Sequence, residues 1–185
     1  MSKNDNAHSL RLAESLKNNH CPALAEQLEA QYPLSKSATI EKKFEWARQT
    51  CALLEANLAE EEIIKVRKEC ICNDGKSNAK KMLKYLNRAE CMKDFVDVFN
   101  QGENFASLKY ISENKLLFCY PECYCGCVKR IPENLTKTWC YCTIGNAESM
   151  FREVFQKDVS VTQKESIKTG AKRCAMVEEW SYAAH

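Results

Sequence analysis

Apolar residues in the first hundred positions recur at helical spacing. Leu10, Ala13 and Leu16, then Leu24 and Leu28, repeat every three or four residues with a break at Asn18, Asn19 and Pro22, which predicts two short helices between His8 and about Gln31. Pro33 interrupts the pattern. Ser35 or Ser37 then offers a hydroxyl to free amide donors, and Ile40, Phe44, Ala47, Cys51, Leu54 and Leu58 trace one apolar stripe, predicting a helix over that span. From Glu60 to Lys68 the acidic start and basic end match the sign of the helix dipole around Ile63, Ile64 and Val66, and this helix should stop near Cys70 because Asn73-Asp74-Gly75 is turn chemistry. Ala79, Met82, Leu83 and Leu86 mark another helical face, and Phe95, Val98 and Phe99 a further one.

The texture changes after Asn104. Lys115 to Tyr120 is short, apolar and aromatic, which suits a strand ended by Pro121. Ala147, Met150, Phe151, Val154 and Phe155 return to helical spacing from Gly145, and Val159 to Val161 and Cys174 to Val177 read as strands around a turn at Thr169-Gly170. The expectation is an α+β protein: a helical N-terminal half, residues 1–104, packed on a small antiparallel sheet with a C-terminal helix in a cysteine-rich region, residues 105–185, the two making one compact unit.

Charge adds little, since 27 basic and 25 acidic residues are mixed along the chain, and no field favours nucleic acid or an anionic membrane as partner. No stretch reaches the roughly 18 to 20 apolar residues that span a bilayer, and Met1 to Leu10 lacks a signal-peptide core, so a cytoplasmic protein is expected. In that reducing compartment the twelve cysteines read as thiols or thiolates rather than as a disulfide framework.

Six of these cysteines fall between Cys119 and Cys142, as Cys119-Tyr-Pro-Glu-Cys123-Tyr-Cys125-Gly-Cys127 and Cys140-Tyr-Cys142. On an extended strand Cys123, Cys125 and Cys127 would face one side about 6.6 to 7 Å apart, at or beyond disulfide reach. Gly126 permits a turn that draws sulfurs together. Converging thiolates suit metal, so Cys123, Cys125, Cys127, Cys140 and Cys142, with Cys70, Cys72 and Cys174, are the candidate ligands, for zinc or alternatively an iron–sulfur cluster. A second chemistry stays open: Cys142 as a catalytic nucleophile, its thiolate favoured at a helix start, with Glu148, Glu165 or Lys172 as base. Cys21, Cys51 and Cys91 lie on helix faces and read as small core residues. Phe118, Tyr120, Tyr124, Trp139 and Tyr141 surround the cluster in sequence and could line a small-molecule pocket. Homodimerisation stays open.

Cys142, Gly145 opening a helix through Phe155, the strand Val159 to Glu165, then Gly170 and Cys174 form a skeleton that resembles the 4-vinyl reductase-like superfamily, which includes small-molecule sensors, and the related family named for thiazoline-carboxylate hydrolysis. The full cysteine pattern looks like an uncharacterised cysteine-rich bacterial family. The resemblance implies a 4-vinyl reductase-like fold and a zinc ion beside a ligand pocket, held by Cys142 and Cys174 with Glu165. Ser166 and Lys168 stand where that pattern has a further cysteine, and Cys123, Cys125, Cys127 and Cys140 are additional, which implies a different or larger site.

Overall fold

The computed structural model describes residues 4–73 and 75–181; Asp74 of the turn sequence and His185 lie outside the described residues. The elements run α1 (Ala7–Asn18), α2 (Pro22–Gln31), α3 (Ile40–Asn57), α4 (Glu60–Glu69), α5 (Lys76–Leu86), α6 (Met92–Gly102), β1 (Ser107–Ser112), β2 (Lys115–Tyr120), α7 (Lys137–Cys140), α8 (Cys142–Phe155), β3 (Val159–Glu165) and β4 (Cys174–Trp180). They divide into two interleaved units, Met1–Cys72 with Tyr124–Thr143 and Asn73–Cys123 with Ile144–His185. The boundaries between these units fall at 72, 123 and 143. No helix among the described residues is long and apolar enough to cross a membrane.

The first unit is helical. Asn6 caps α1 by accepting from the His8 amide at 3.0 Å, and Thr39 caps α3 by accepting from the Lys42 amide at 3.4 Å, each satisfying a donor that the helix cannot. At the start of α4, Glu62 accepts from the Ala59 amide at 2.9 Å. Leu12, Leu16, Leu28, Ala47, Leu54 and Val66 are buried in this unit. The Ser15 hydroxyl donates to the Val66 carbonyl at 2.7 Å, tying α1 to α4. Trp46 of α3 meets Trp139 of α7 edge-on, ring centroids 5.8 Å apart, a favoured arrangement of the two quadrupoles.

The second unit is a four-stranded antiparallel sheet in the order β1-β2-β4-β3, with α5, α6 and most of α8. Phe118 lies opposite Met176, and Glu178 lies between Leu116 on β2 and Val161 on β3. Phe118 packs on Phe151 of α8 at 5.3 Å, and Phe155 stacks on Trp180 at 4.1 Å. At the sheet edge Asn100 of α6 replaces a neighbouring strand: its amide donates to the Leu108 carbonyl and accepts from the Leu108 amide, both at 2.8 Å. The α+β class is therefore present. The expected helix of the C-terminal region over Gly145 to Phe155 is α8, followed by the two expected strands as β3 and β4.

Candidate functional site

The site begins with a buried cation. Ile63, Val66 and Arg67 share one face of α4, and Arg67 is only 4% exposed. Its Nε donates to the Thr138 carbonyl at 3.3 Å and its Nη2 to the Trp139 carbonyl at 2.7 Å, while the guanidinium lies 4.6 Å over the Trp139 ring. Among the described residues no carboxylate pairs with it; burial works against its charge, and the sulfurs of Cys142, Cys70, Cys51 and Cys125 favour it only when ionised. A buried charge without a counter-ion costs several kcal/mol, so a negative sulfur is the available compensation.

Cys125 is that sulfur. Its carbonyl accepts from the amides of Val128 and Lys129 at 3.1 and 3.0 Å, so the chain turns tightly here in place of the extended row of sulfurs read from the sequence. The turn directs the Cys127 thiol and the Cys127 amide at the Cys125 sulfur, joined by the indole N–H of Trp139 and the charge of Arg67, and these hold its pKa below the ordinary thiol range despite burial. The Trp139 indole N–H is buried near this sulfur but completes a hydrogen bond with no atom among the described residues. Cys127, which gives its proton to this contact, has its own pKa pushed up, first by that hydrogen bond and then by burial. Of the pair, Cys125 is half-buried and Cys127 is 1% exposed.

Cys142, Cys51, Cys70 and Cys72 keep their protons. Cys142 is pushed up to about 12 by burial, which outweighs Arg67, and its sulfur points to the Trp139 carbonyl at 3.7 Å. The free amides at the start of α8 do not overcome that desolvation. Burial raises Cys51 to about 11 and also raises Cys70, whose thiol donates to the Val66 carbonyl at 3.3 Å. Cys72 is solvent-exposed, and its pKa is raised by desolvation and by Cys125. Around the thiols lie further cations, Arg11 and Lys43. His8, pushed down to about 4 by burial and then by Arg11, Arg67 and Lys43, is neutral; Arg11 Nη2 lies 3.2 Å from its Nδ1, which must be the acceptor.

The structure thus gathers Cys51, Cys70, Cys72, Cys125, Cys127 and Cys142 about Arg67 in the first unit, and Cys140 is buried in the same unit. Cys119, Cys123 and Cys174 belong to the second unit, as does Glu165, which pairs with Arg173 at 3.1 Å. Of the proposed bases, Glu148 lies 3.9 Å from Arg152 and Lys172 is exposed. The aromatics do not form one pocket: Phe118 and Tyr120 pack on each other at 4.7 Å in the sheet unit, Tyr124 is exposed, and Tyr141 donates to Glu60 at 2.6 Å. A surface groove of about 540 Å³ lies between the end of α2 and α3, lined by Tyr32, Leu34 and Trp46 among others and by no cysteine. Cys91 is exposed and caps α6 by accepting from the Asp94 amide at 3.5 Å, so it is not the core residue expected.

Zinc, and the iron–sulfur cluster offered as its alternative, are overturned as cofactors. Among the described residues no three His, Cys, Asp or Glu side chains converge as a metal ion requires. The thiols are arranged around a guanidinium, and the turn at Cys125 sends its neighbour's proton, not its lone pair, toward a common point.

The chain is similar in structure to an H-NOX protein from S. oneidensis in the Fe(II)NO ligation state, at 11% identity and TM-score 0.45, covering 96% of this chain and 100% of that one. The SO2144 H-NOX domain from Shewanella oneidensis in the Fe(II)CO ligation state matches at 10% identity and TM-score 0.44, over 95% and 98% of the chains. A single-substitution variant of Tt H-NOX matches at 11% identity and TM-score 0.44, over 95% and 94%. No curated protein matches. The 4-vinyl reductase-like resemblance is overturned, since the sequence family that matches is a different one and its match runs through both units rather than over Trp139 to Val177 alone. Residues 6–179 match DUF6144, a family of unknown function, and the chain belongs to it.

Proposed function

We propose that the helical unit is a small-molecule-responsive thiol site in which the Cys125 thiolate captures soft electrophiles or oxidants. One observation carries this reading: the Cys127 thiol, the Cys127 amide, the Trp139 indole N–H and the Arg67 guanidinium all favour negative charge on one half-buried sulfur. The thiolate is the nucleophilic form. Cys125 attacks the electrophile, and Arg67 and Trp139 act as positioning residues that keep the sulfur ionised and fixed. Cys142, the nucleophile read from the sequence, holds its proton near neutral pH in this arrangement.

The test rests on where reactivity levels off with pH. An ordinary thiol of pKa about 8.5 is only a few per cent ionised at pH 7, and each unit of lowering multiplies the ionised fraction about tenfold. Intrinsic nucleophilicity falls with pKa with a Brønsted slope of about 0.4 to 0.5, so the net gain is only about threefold per unit. The plateau is therefore the sharper readout. Site-resolved iodoacetamide labelling between pH 5.5 and 9 is expected to level off for Cys125 below pH 8 while exposed Cys72, whose pKa is raised, continues to rise. A Cys125 rate that rises in parallel with that of Cys72 throughout would sink the proposal.

A further inference from the structure

We infer that Cys125 and Cys127 form a reversible two-electron couple across Gly126, oxidised by hydroperoxides. This rests on Cys125 being the nucleophile, and adds both the oxidant class and the partner thiol. The first support is contact: the Cys127 thiol donates to the Cys125 sulfur, so the two sulfurs are already neighbours. The second is backbone geometry. The Val128 and Lys129 amides close a turn on the Cys125 carbonyl, and in a helical turn Cα atoms two residues apart are separated by about 5.4 Å, inside the roughly 4.4 to 6.8 Å that a disulfide spans. The third is access. A Cβ at Gly126 would meet nothing within 4 Å, so there is open space beside the pair, while Cys127 is 1% exposed behind half-buried Cys125.

The chemistry balances. The Cys125 thiolate attacks one oxygen of the hydroperoxide; the S–O bond forms, the O–O bond breaks, and the departing alkoxide takes a proton from water to become the alcohol. Sulfur has lost two electrons and stands as a sulfenic acid. The Cys127 sulfur then attacks the Cys125 sulfur, the S–S bond forms, and hydroxide leaves with the Cys127 proton as water. An external dithiol reverses the couple by exchange.

The experiment treats the fully reduced whole chain with one equivalent of hydrogen peroxide, alkylates it with iodoacetamide and digests it with trypsin. The expected product is peptide 116–129 lighter by two hydrogens, still labelled at Cys119 and Cys123 and restored by dithiothreitol. Oxidation at pH 7 should be about two- to threefold faster than at a free thiol of ordinary pKa, and Cys21→Ser, outside the cluster about Arg67, should leave it unchanged. Cys127→Ser should stop the reaction at a dimedone-reactive sulfenic acid on Cys125, and Cys119→Ser/Cys123→Ser should still close the disulfide. A cross-link between peptides 69–76 and 116–129 would name Cys70 or Cys72 as partner and overturn the inference. So would a Cys125 sulfenic or sulfinic acid without disulfide in the unaltered chain, or a Cys125 inert to peroxide; all three leave the nucleophile reading intact if iodoacetamide still labels Cys125 with a low-pH plateau. Slow reaction with both reagents removes the two readings together.

Discussion

Arg67 and Glu178 are both buried without an opposite charge, and the two resolve the cost differently. Arg67 cannot lose its proton, so it is held by two carbonyls, a ring face and polarised sulfurs. Glu178 is fully buried between Leu116 and Val161, neither carboxylate oxygen has a hydrogen-bond partner, and burial pushes its pKa up to about 9. It is a neutral acid at pH 7. The unfolded chain ionises this group near its usual value of about 4.3, so between there and about 9 the unfolded state binds fewer protons and stability falls as pH rises. The fall ends where the folded state also ionises. Glu178→Met removes the penalty: between pH 5 and pH 8 the parent protein should lose about 3 kcal/mol more stability than the variant, read by urea denaturation at each pH. Equal slopes for the two proteins would mean that Glu178 finds a partner in solution. At Cys125 the donors also rank. The Cys127 thiol contributes most and Arg67 less, so Cys127→Ala should move the labelling plateau to higher pH by more than Arg67→Lys does, and the reverse order would place the guanidinium in control.

At the scale of elements, the positions that organise the site are those where local geometry departs from the periodic pattern. The helices α1 to α6, the strand β2 and the body of α8 were legible because each buries an apolar stripe of three or more turns or a short aromatic run. Strand β1 was not, although Leu108 and Tyr110 alternate with polar neighbours and Glu113-Asn114 makes the hairpin turn; its edge is completed by Asn100 of α6, a contact that no local pattern announces. Helix α7 has only four residues and shows no period. Arg67 was readable in principle, since it lies four residues after Ile63 and next to Val66 on the inner face, but beside Lys68 it passed for a dipole-matching basic end. The cysteines clustered between Cys119 and Cys142 divide between the units, Cys119 and Cys123 falling in the second. Gly126 allowed the turn to be read as one possibility, but the choice between turn and strand depends on carbonyl acceptance by two later amides. One glycine fixes an element boundary: Gly75, before α5, has φ +70°, and a Cβ there would lie 2.9 Å from the Met150 Cβ. Gly75→Ala therefore combines left-handed strain with a backbone-anchored clash and should cost about 2 kcal/mol, measured as a lowered denaturation midpoint. An unchanged midpoint would mean that α5 can start differently.

The interleaving of the chain sets what can fold alone. Residues 124–143 return to the first unit after the chain has passed through α5, α6, β1 and β2, and they bring the groups that α3 and α4 need. Trp139, 2% exposed, supplies the edge-on partner of Trp46 and the face under Arg67, and the Thr138 and Trp139 carbonyls receive the guanidinium. Losing a buried tryptophan costs about 3 to 5 kcal/mol, and each hydrogen bond to a charged group adds about 1.5 to 3 kcal/mol. Together these rival the whole stability of an ordinary domain, about 5 to 15 kcal/mol. A fragment of residues 1–104, the cut suggested by the change in sequence texture, should then have helical propensity without a cooperative thermal transition in far-ultraviolet circular dichroism. Adding a synthetic peptide of residues 124–143 should raise its helicity and blue-shift Trp46 fluorescence, because Arg67 regains its acceptors and Trp46 its neighbour. If the fragment melts cooperatively alone, helices α1 to α4 are self-sufficient, and the buried guanidinium is tolerated without the carbonyls and the indole that surround it in the intact chain.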